Sequence, residues 1–99
     1  MNLEDFNSSI TAGIPPDPLD PCLLAMWYEK SGDWNKAHEI VQEIDTEMAS
    51  LVHAYLHRRE GDDSNARYWY GRAGRRFPDR PTLDDEWLSL TGELLAAAE

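Results

Sequence analysis

An internal repeat constrains the fold more than any other feature of the sequence. Residues 25–37 align with residues 54–66 at an offset of 29 residues, and alanine, glycine, aspartate and alanine coincide at corresponding positions. Gly32-Asp33 and Gly61-Asp62 each place a glycine, which tolerates positive φ at a helix end, before an aspartate that can cap the next helix. The repeat therefore predicts two units of helix, Gly-Asp turn and helix, in which the small alanines let antiparallel helices approach closely.

Apolar residues recur at three- and four-residue intervals from residue 19 onward, as the buried face of a helix requires. They predict one all-α domain with antiparallel helical hairpins over residues 19–45 and 46–78 and a C-terminal capping helix over residues 82–98. The fourth of these helices is expected to reach Phe77. Three prolines between residues 15 and 18 interrupt any helix there, so residues 1–18 are predicted as an extended N-terminal arm.

The two hairpins resemble those of the tetratricopeptide repeat (TPR). In that family a Gly-Asp-type turn is followed by alanine, an aromatic residue, alanine and a closing proline. The second hairpin matches this run at Gly61-Asp62, Ala66, Tyr70, Ala73 and Pro78. The first hairpin departs from it at Val41 and Ile44, and His53 and His57 stand where leucine and tyrosine are usual. The resemblance implies a right-handed superhelix that binds a protein or peptide without enzymatic activity, and the chain is also similar to small bacterial proteins with no established activity.

Composition and charge exclude several functional classes. Nine Lys and Arg against 19 Asp and Glu give a net charge of -10, which disfavours nucleic-acid and membrane partners because both require a positive surface. One cysteine excludes an intramolecular disulfide and a multi-cysteine zinc site. The N-terminus lacks the pattern of a signal peptide, so we expect a cytoplasmic protein. No phosphate-binding loop or catalytic motif occurs, and no cofactor is expected.

Three histidines are candidate metal ligands. His53 and His57 lie four residues apart, so both rings project from one face of a helix, and His38 can supply a third nitrogen. A helical histidine pair is also typical of histidines packed between helices, and the leading prediction contains no metal site. The alternative prediction is a metal- or small-ligand-binding protein that uses this face and an arginine-rich band.

That band reflects a segregation of charge along the chain. Residues 1–57 carry ten acids and two bases, residues 58–80 carry seven arginines and four acids, and residues 81–99 carry five acids and no base. Arginine presents a planar fork that suits carboxylates. The band is therefore expected either to pair internally with Asp84, Asp85, Glu86 and the acidic first hairpin, or to bind an acidic partner.

A partner groove is predicted along the inner side of the third helix, where the resemblance places an apolar strip that runs into a basic end. Such a surface suits a protein or peptide segment with an apolar anchor followed by acids. The arm sequence Leu3-Glu4-Asp5-Phe6 has this composition and is the predicted internal occupant, and a second copy of the chain is a further candidate partner. Tyr68 is expected to be exposed because it lies off the buried face of its helix. The predicted binding residues are Leu51, Tyr55, Arg58, Arg59, Tyr68 and Arg72.

Overall fold

A computed structural model describes residues 1–79 and 82–98, and over these residues the chain forms helices and no strands. This confirms the all-α prediction. None of the described helices is long and apolar enough to cross a membrane. In chain order the helices are α1 (Leu3–Ala12), α2 (Pro21–Lys30), α3 (Trp34–Val41), α4 (Glu47–Glu60), α5 (Asp63–Arg72) and α6 (Leu83–Ala97).

The helices pack in layers around one apolar core. α2 pairs with α3 and α4 pairs with α5, while α2 also lies against α4. In the described part of the chain, α3 and α6 both contact α2 and α4 but do not contact each other, so they lie on opposite sides of that pair. α6 therefore covers both hairpins instead of capping the second one alone. α1 contacts α2 and α6.

Local sequence explains both hairpin turns. Gly32 (φ 97°) and Gly61 (φ 89°) adopt the left-handed conformation that favours glycine. The carboxylates of Asp33 and Asp62 then accept hydrogen bonds from backbone N–H groups three residues later, at 3.0 and 3.2 Å. Each Gly-Asp pair thus ends one helix and caps the next, as its sequence predicts.

α5 is shorter than predicted. It ends at Arg72 rather than at Phe77. Gly74 (φ 73°) takes the left-handed conformation, and the Arg75 backbone N–H donates to the Tyr70 carbonyl at 2.9 Å. This bond closes a helix-ending turn, which the glycine makes possible before the chain reaches Pro78.

The N-terminal arm is also different from the prediction, because residues 3–12 form a helix instead of an extended segment. The Asn2 side chain caps it by accepting a hydrogen bond from the Asp5 N–H at 2.8 Å, and Gly13 (φ 77°) ends it. The prolines that follow Gly13 restrict only their own neighbourhood and do not prevent a helix before them. Phe6 is completely buried, with its ring 6.1 Å from the Trp87 ring of α6.

Candidate metal centre

Three histidines from two helices meet at one point. His38 lies on α3, and His53 and His57 lie on successive turns of α4. The Nε2 atoms of His38 and His53 are 2.9 Å apart, and one potential ligand nitrogen from each of the three rings lies within 4.8 Å of the others. The spacing in the sequence places His53 and His57 on one face, and the packing of α3 against α4 brings His38 to that face.

Two tryptophans hold these imidazole rings in place. Trp34 stacks on His38 with ring centroids 4.9 Å apart and planes 9° apart, and its Nε1–H donates to the Leu56 carbonyl at 2.7 Å. Trp69 of α5 stacks on His53 at 3.9 Å and 18°. Because large flat side chains pack against two of the three rings, the fold restricts how these rings can turn before any ion binds.

Burial favours the neutral form of two of the three histidines, His38 and His53. His53 and His57 are buried and His38 is half-buried. Desolvation, with the nearby His38 and His57 as smaller causes, lowers the pKa of His53 to about 4. Desolvation, followed by the proximity of His57, also lowers the pKa of His38. A metal ion binds neutral imidazole, so both rings are ready to act as ligands near pH 7.

A carboxylate orients the third ring. His57 Nδ1 lies 2.6 Å from Glu60 Oε1, which leaves Nε2 of His57 available as a ligand atom. Histidine ligands usually donate their second ring nitrogen to a carboxylate or carbonyl in this way, which fixes the tautomer. His57, Glu60 and Asp62 also form a group of potential ligands, but both acids are exposed and Asp62 caps α5. The three-histidine set is therefore the better-enclosed site.

A tetrahedral ion requires a defined spacing between its ligand nitrogens. With Zn–N distances of about 2.0–2.1 Å, tetrahedral ligand atoms lie about 3.3 Å apart. The His38–His53 separation of 2.9 Å is shorter than this by about 0.4 Å, so these two rings would have to move apart slightly to bind such an ion. Three histidines leave one coordination position for water or another ligand.

The predicted partner groove is closed in the structure. Leu51 and Tyr55 are buried, and Leu51 lines a cavity of only about 70 Å³ together with Glu86 and Leu90 of α6. An external partner therefore has no access to this apolar strip, and the predicted occupant of the strip has to be corrected. The occupant is α6 and not the N-terminal arm, although α6 has the predicted combination of apolar anchors and acids.

The basic end of the same strip pairs with acids inside the protein. Arg58 Nη1 contacts Glu86 Oε1 at 2.6 Å, and Glu86 also accepts a hydrogen bond from the buried Tyr70 hydroxyl. Arg59 contacts Glu29 at 2.9 Å and Asp84 at 3.1 Å. These contacts agree with the internal pairing that the sequence analysis considered for the arginine-rich band. Arg80, which belongs to the same band, lies outside the described residues.

Tyr68 and Arg72, the other two predicted binding residues, lie away from α6 on the exposed side of α5. Tyr68 is 57% exposed. Arg72 contacts Asp45 at 3.2 Å and lies over the Trp69 ring at 5.1 Å. The six predicted binding residues thus belong to two separate faces of the protein.

Sequence reasoning did not assign Trp34, Trp69 or Glu60 to the histidine site. Helical spacing could have identified two of them as neighbours of the histidines, since Trp34 precedes His38 by four residues and Glu60 follows His57 by three. Nothing in the local sequence connects Trp69 with His53, because their contact depends on how α5 packs against α4.

The remaining reactive side chain does not join the cluster. Cys22 lines a cavity of about 370 Å³ with Ile44, Met48 and Leu94, and burial raises its pKa to about 11. It is therefore a protonated thiol near neutral pH and a poor nucleophile or metal ligand.

Comparison of the chain with protein-family models, curated proteins and solved structures finds no match. Function is therefore inferred from the geometry of the three-histidine cluster and its surroundings.

Proposed function

We propose that the protein binds one divalent transition-metal ion, with Zn²⁺ as the first candidate, through His38, His53 and His57. The observation that supports this proposal is the convergence of three imidazoles, each with a potential ligand nitrogen within 4.8 Å of the other two. Imidazole suits Zn²⁺, Cu²⁺ and Ni²⁺, whereas Ca²⁺ and Mg²⁺ prefer oxygen ligands. The protein would act by binding, without enzymatic activity.

Metal binding would connect the two hairpins. His38 belongs to the first hairpin, while His53 and His57 belong to the second. An ion bound only by the folded chain therefore stabilises the packing of α3 against α4, and its binding free energy adds to the free energy of unfolding.

We propose that a TPR-like pair of hairpins is the scaffold that holds the three histidines. Its support is the internal repeat, whose four alanines, Ala25, Ala37, Ala54 and Ala66, are all completely buried. Small residues at these positions are consistent with close helix crossings in each hairpin. Because α6 covers the predicted groove, the peptide-binding role expected of a TPR-like protein needs a different surface.

Calorimetric titration of metal-free protein with ZnCl₂ tests the proposal, and we expect one ion per chain. Substitution with Co²⁺ should give the visible absorption of a four-coordinate ion with nitrogen ligands. The His38→Ala variant should lose binding because it removes one of three ligands, and His38 is only half-buried, so the fold should tolerate the change. Glu39→Ala, an exposed position on the same helix, is the matched control. Glu60→Gln should weaken binding by about 10- to 100-fold.

Two results would contradict the site. Equal affinities of the His38→Ala and Glu39→Ala variants would show that His38 is not a ligand. Loss of binding in Asp62→Asn, with binding retained in His38→Ala, would assign the ion to the exposed group of His57, Glu60 and Asp62 instead. Far-UV circular dichroism of each variant checks that it is folded.

A further inference from the structure

The outward side of α5 is a positively charged surface on an acidic protein. Positions 64, 67, 68, 71 and 72 share one side of the helix by their spacing, and all five are exposed. The opposite side carries the buried Ala66 and Tyr70 and packs mainly against α4. The exposed side thus has no cover from the described part of the chain.

Arginines on this side rest against aromatic rings. The Arg67 guanidinium carbon is 4.1 Å from the centroid of the Phe77 ring. Arg72 lies over Trp69, and its Nη1 is 3.5 Å from the Tyr68 hydroxyl. Stacking orients a guanidinium while its N–H groups stay at the edge, where they can donate to a carboxylate.

The local charge is strongly asymmetric. Residues 64–77 contain four arginines and no acid, in a chain whose net charge is -10. Within the described residues Arg67 has no carboxylate at ion-pair distance, and the acid that pairs with Arg72 is Asp45, whose side chain is 91% exposed. An exposed ion pair of this kind is weak, so an incoming carboxylate can replace Asp45.

We propose that Arg67, Tyr68 and Arg72, together called the α5 face, bind an acidic segment of another protein. Arg67 and Arg72 are five residues apart, which is about 7.5 Å along the helix and about 140° around its axis, so they lie at the two edges of the α5 face with Tyr68 between them. Acids at alternate positions of an extended peptide are about 6.6–6.8 Å apart, so a segment that carries several such acids and crosses the helix can present a carboxylate at each edge. Tyr68 provides the contact for an adjacent apolar side chain, and tyrosine and arginine are the residue types that dominate interface energetics.

The overall charge favours a short peptide over a polyanion. At physiological ionic strength the attraction of the α5 face extends over about 8 Å, so a short segment experiences mainly the local arginines. A nucleic acid or an anionic membrane spans the acidic surroundings as well and is repelled by them. An acidic protein segment is therefore the occupant that fits both the face and the whole chain.

Fluorescence anisotropy with a labelled ten-residue peptide of alternating Glu and Leu tests the proposal on the full chain. The protein should bind it at least about tenfold more tightly than the corresponding Lys-Leu peptide. Arg67→Glu should weaken binding by about tenfold or more, whereas Lys36→Glu, which makes the same charge change at an exposed position on α3, should alter it less than about twofold. Tyr68→Ala should weaken binding more than Tyr68→Phe does.

Three outcomes would contradict the proposal that the α5 face binds an acidic segment. The first is that Arg67→Glu and Lys36→Glu weaken binding of the Glu-Leu peptide equally. The second is that the Glu-Leu peptide does not bind at concentrations up to about 1 mM. The third is that a dodecathymidylate strand or phosphatidylserine vesicles bind more tightly than the peptide. The measurements are made in EDTA and repeated with the His38→Ala variant. Peptide binding that persists there is independent of the metal site, so each proposal can fail without the other.

Discussion

Lowering the pH from 7.5 to 4.5 should destabilise the metal-free protein through His53. The pKa of this residue falls from the ordinary histidine value of 6.5 to about 4 in the folded chain, so the folded state binds fewer protons than the unfolded state between these values. The contribution to stability is therefore fully present above pH 6.5 and is lost as the pH falls towards 4. With 1.36 kcal/mol per pKa unit, the loss at pH 4.5 is about 2.5 kcal/mol, a substantial part of the stability of a small domain.

His38 and His57 both help to lower the pKa of His53, whereas Glu60 opposes the lowering of the pKa of His38. His38 on α3 has a lowered pKa too, and Trp69 on α5 carries no titratable group. Carboxylates elsewhere also titrate near pH 4.5, so the effect of His53 has to be isolated by comparison with a variant. His53→Gln removes the titration and keeps a polar side chain, although it also loses the stacking on Trp69 at every pH.

Urea denaturation followed by far-UV circular dichroism in EDTA measures the difference at pH 7.5, 6.5, 5.5 and 4.5. The free energy of unfolding of the unmodified protein should fall by about 2.5 kcal/mol more than that of His53→Gln over this range. Parallel losses in the two proteins would refute the reasoning, because they would show that His53 takes up its proton equally in the folded and unfolded states.

Other perturbations test the metal site and the packing, with stability measured by scanning calorimetry or urea denaturation. Zn²⁺ at about 100 times its dissociation constant should stabilise the protein by about 2.7 kcal/mol and raise Tm by about 10–20 °C, and His38→Ala should show no such shift. Glu86→Ala removes the buried acceptor of the Tyr70 hydroxyl and should cost about 3–5 kcal/mol, whereas the exposed Asp85→Ala should cost less than about 1 kcal/mol. Ala66→Leu should cost about 1–3 kcal/mol by overpacking a completely buried site, and a neutral effect would contradict a close helix crossing there.

The helices from α2 onward follow from local signals in the sequence. Apolar spacing, two Gly-Asp turns and the Thr82 cap act within a few residues, so they can be recognised without knowledge of the tertiary structure. The position of α6 is a different problem. Its acids Asp84 and Glu86 suit the arginines of α4 as well as an external acidic segment would, and the sequence alone does not distinguish an internal from an external occupant.

The candidate site was predictable only in part for the same reason. The four-residue spacing brings His53 and His57 to one face of α4, but the presence of His38 depends on the rotation of α3 about its own axis. The prediction therefore named, as an alternative, the three histidines that lie together in the structure, and it could not rank them above ordinary packing. The contact of Trp69 with His53 could not be predicted, because Trp69 belongs to a third helix, α5.

The internal repeat gives a reason to assign the histidines at these positions a role beyond packing. At the offset of 29 residues, His53 and His57 correspond to Leu24 and Tyr28 of the first hairpin, which are half-buried packing residues. Two imidazoles at the equivalent positions of the second hairpin add a desolvation cost that an apolar pair would not have, and the lowered pKa of His53 is a direct consequence. Departures from local consistency of this kind tend to occur at functional sites. The same desolvation that makes His53 costly in acid keeps its imidazole unprotonated at neutral pH, which is the condition that a metal ion requires.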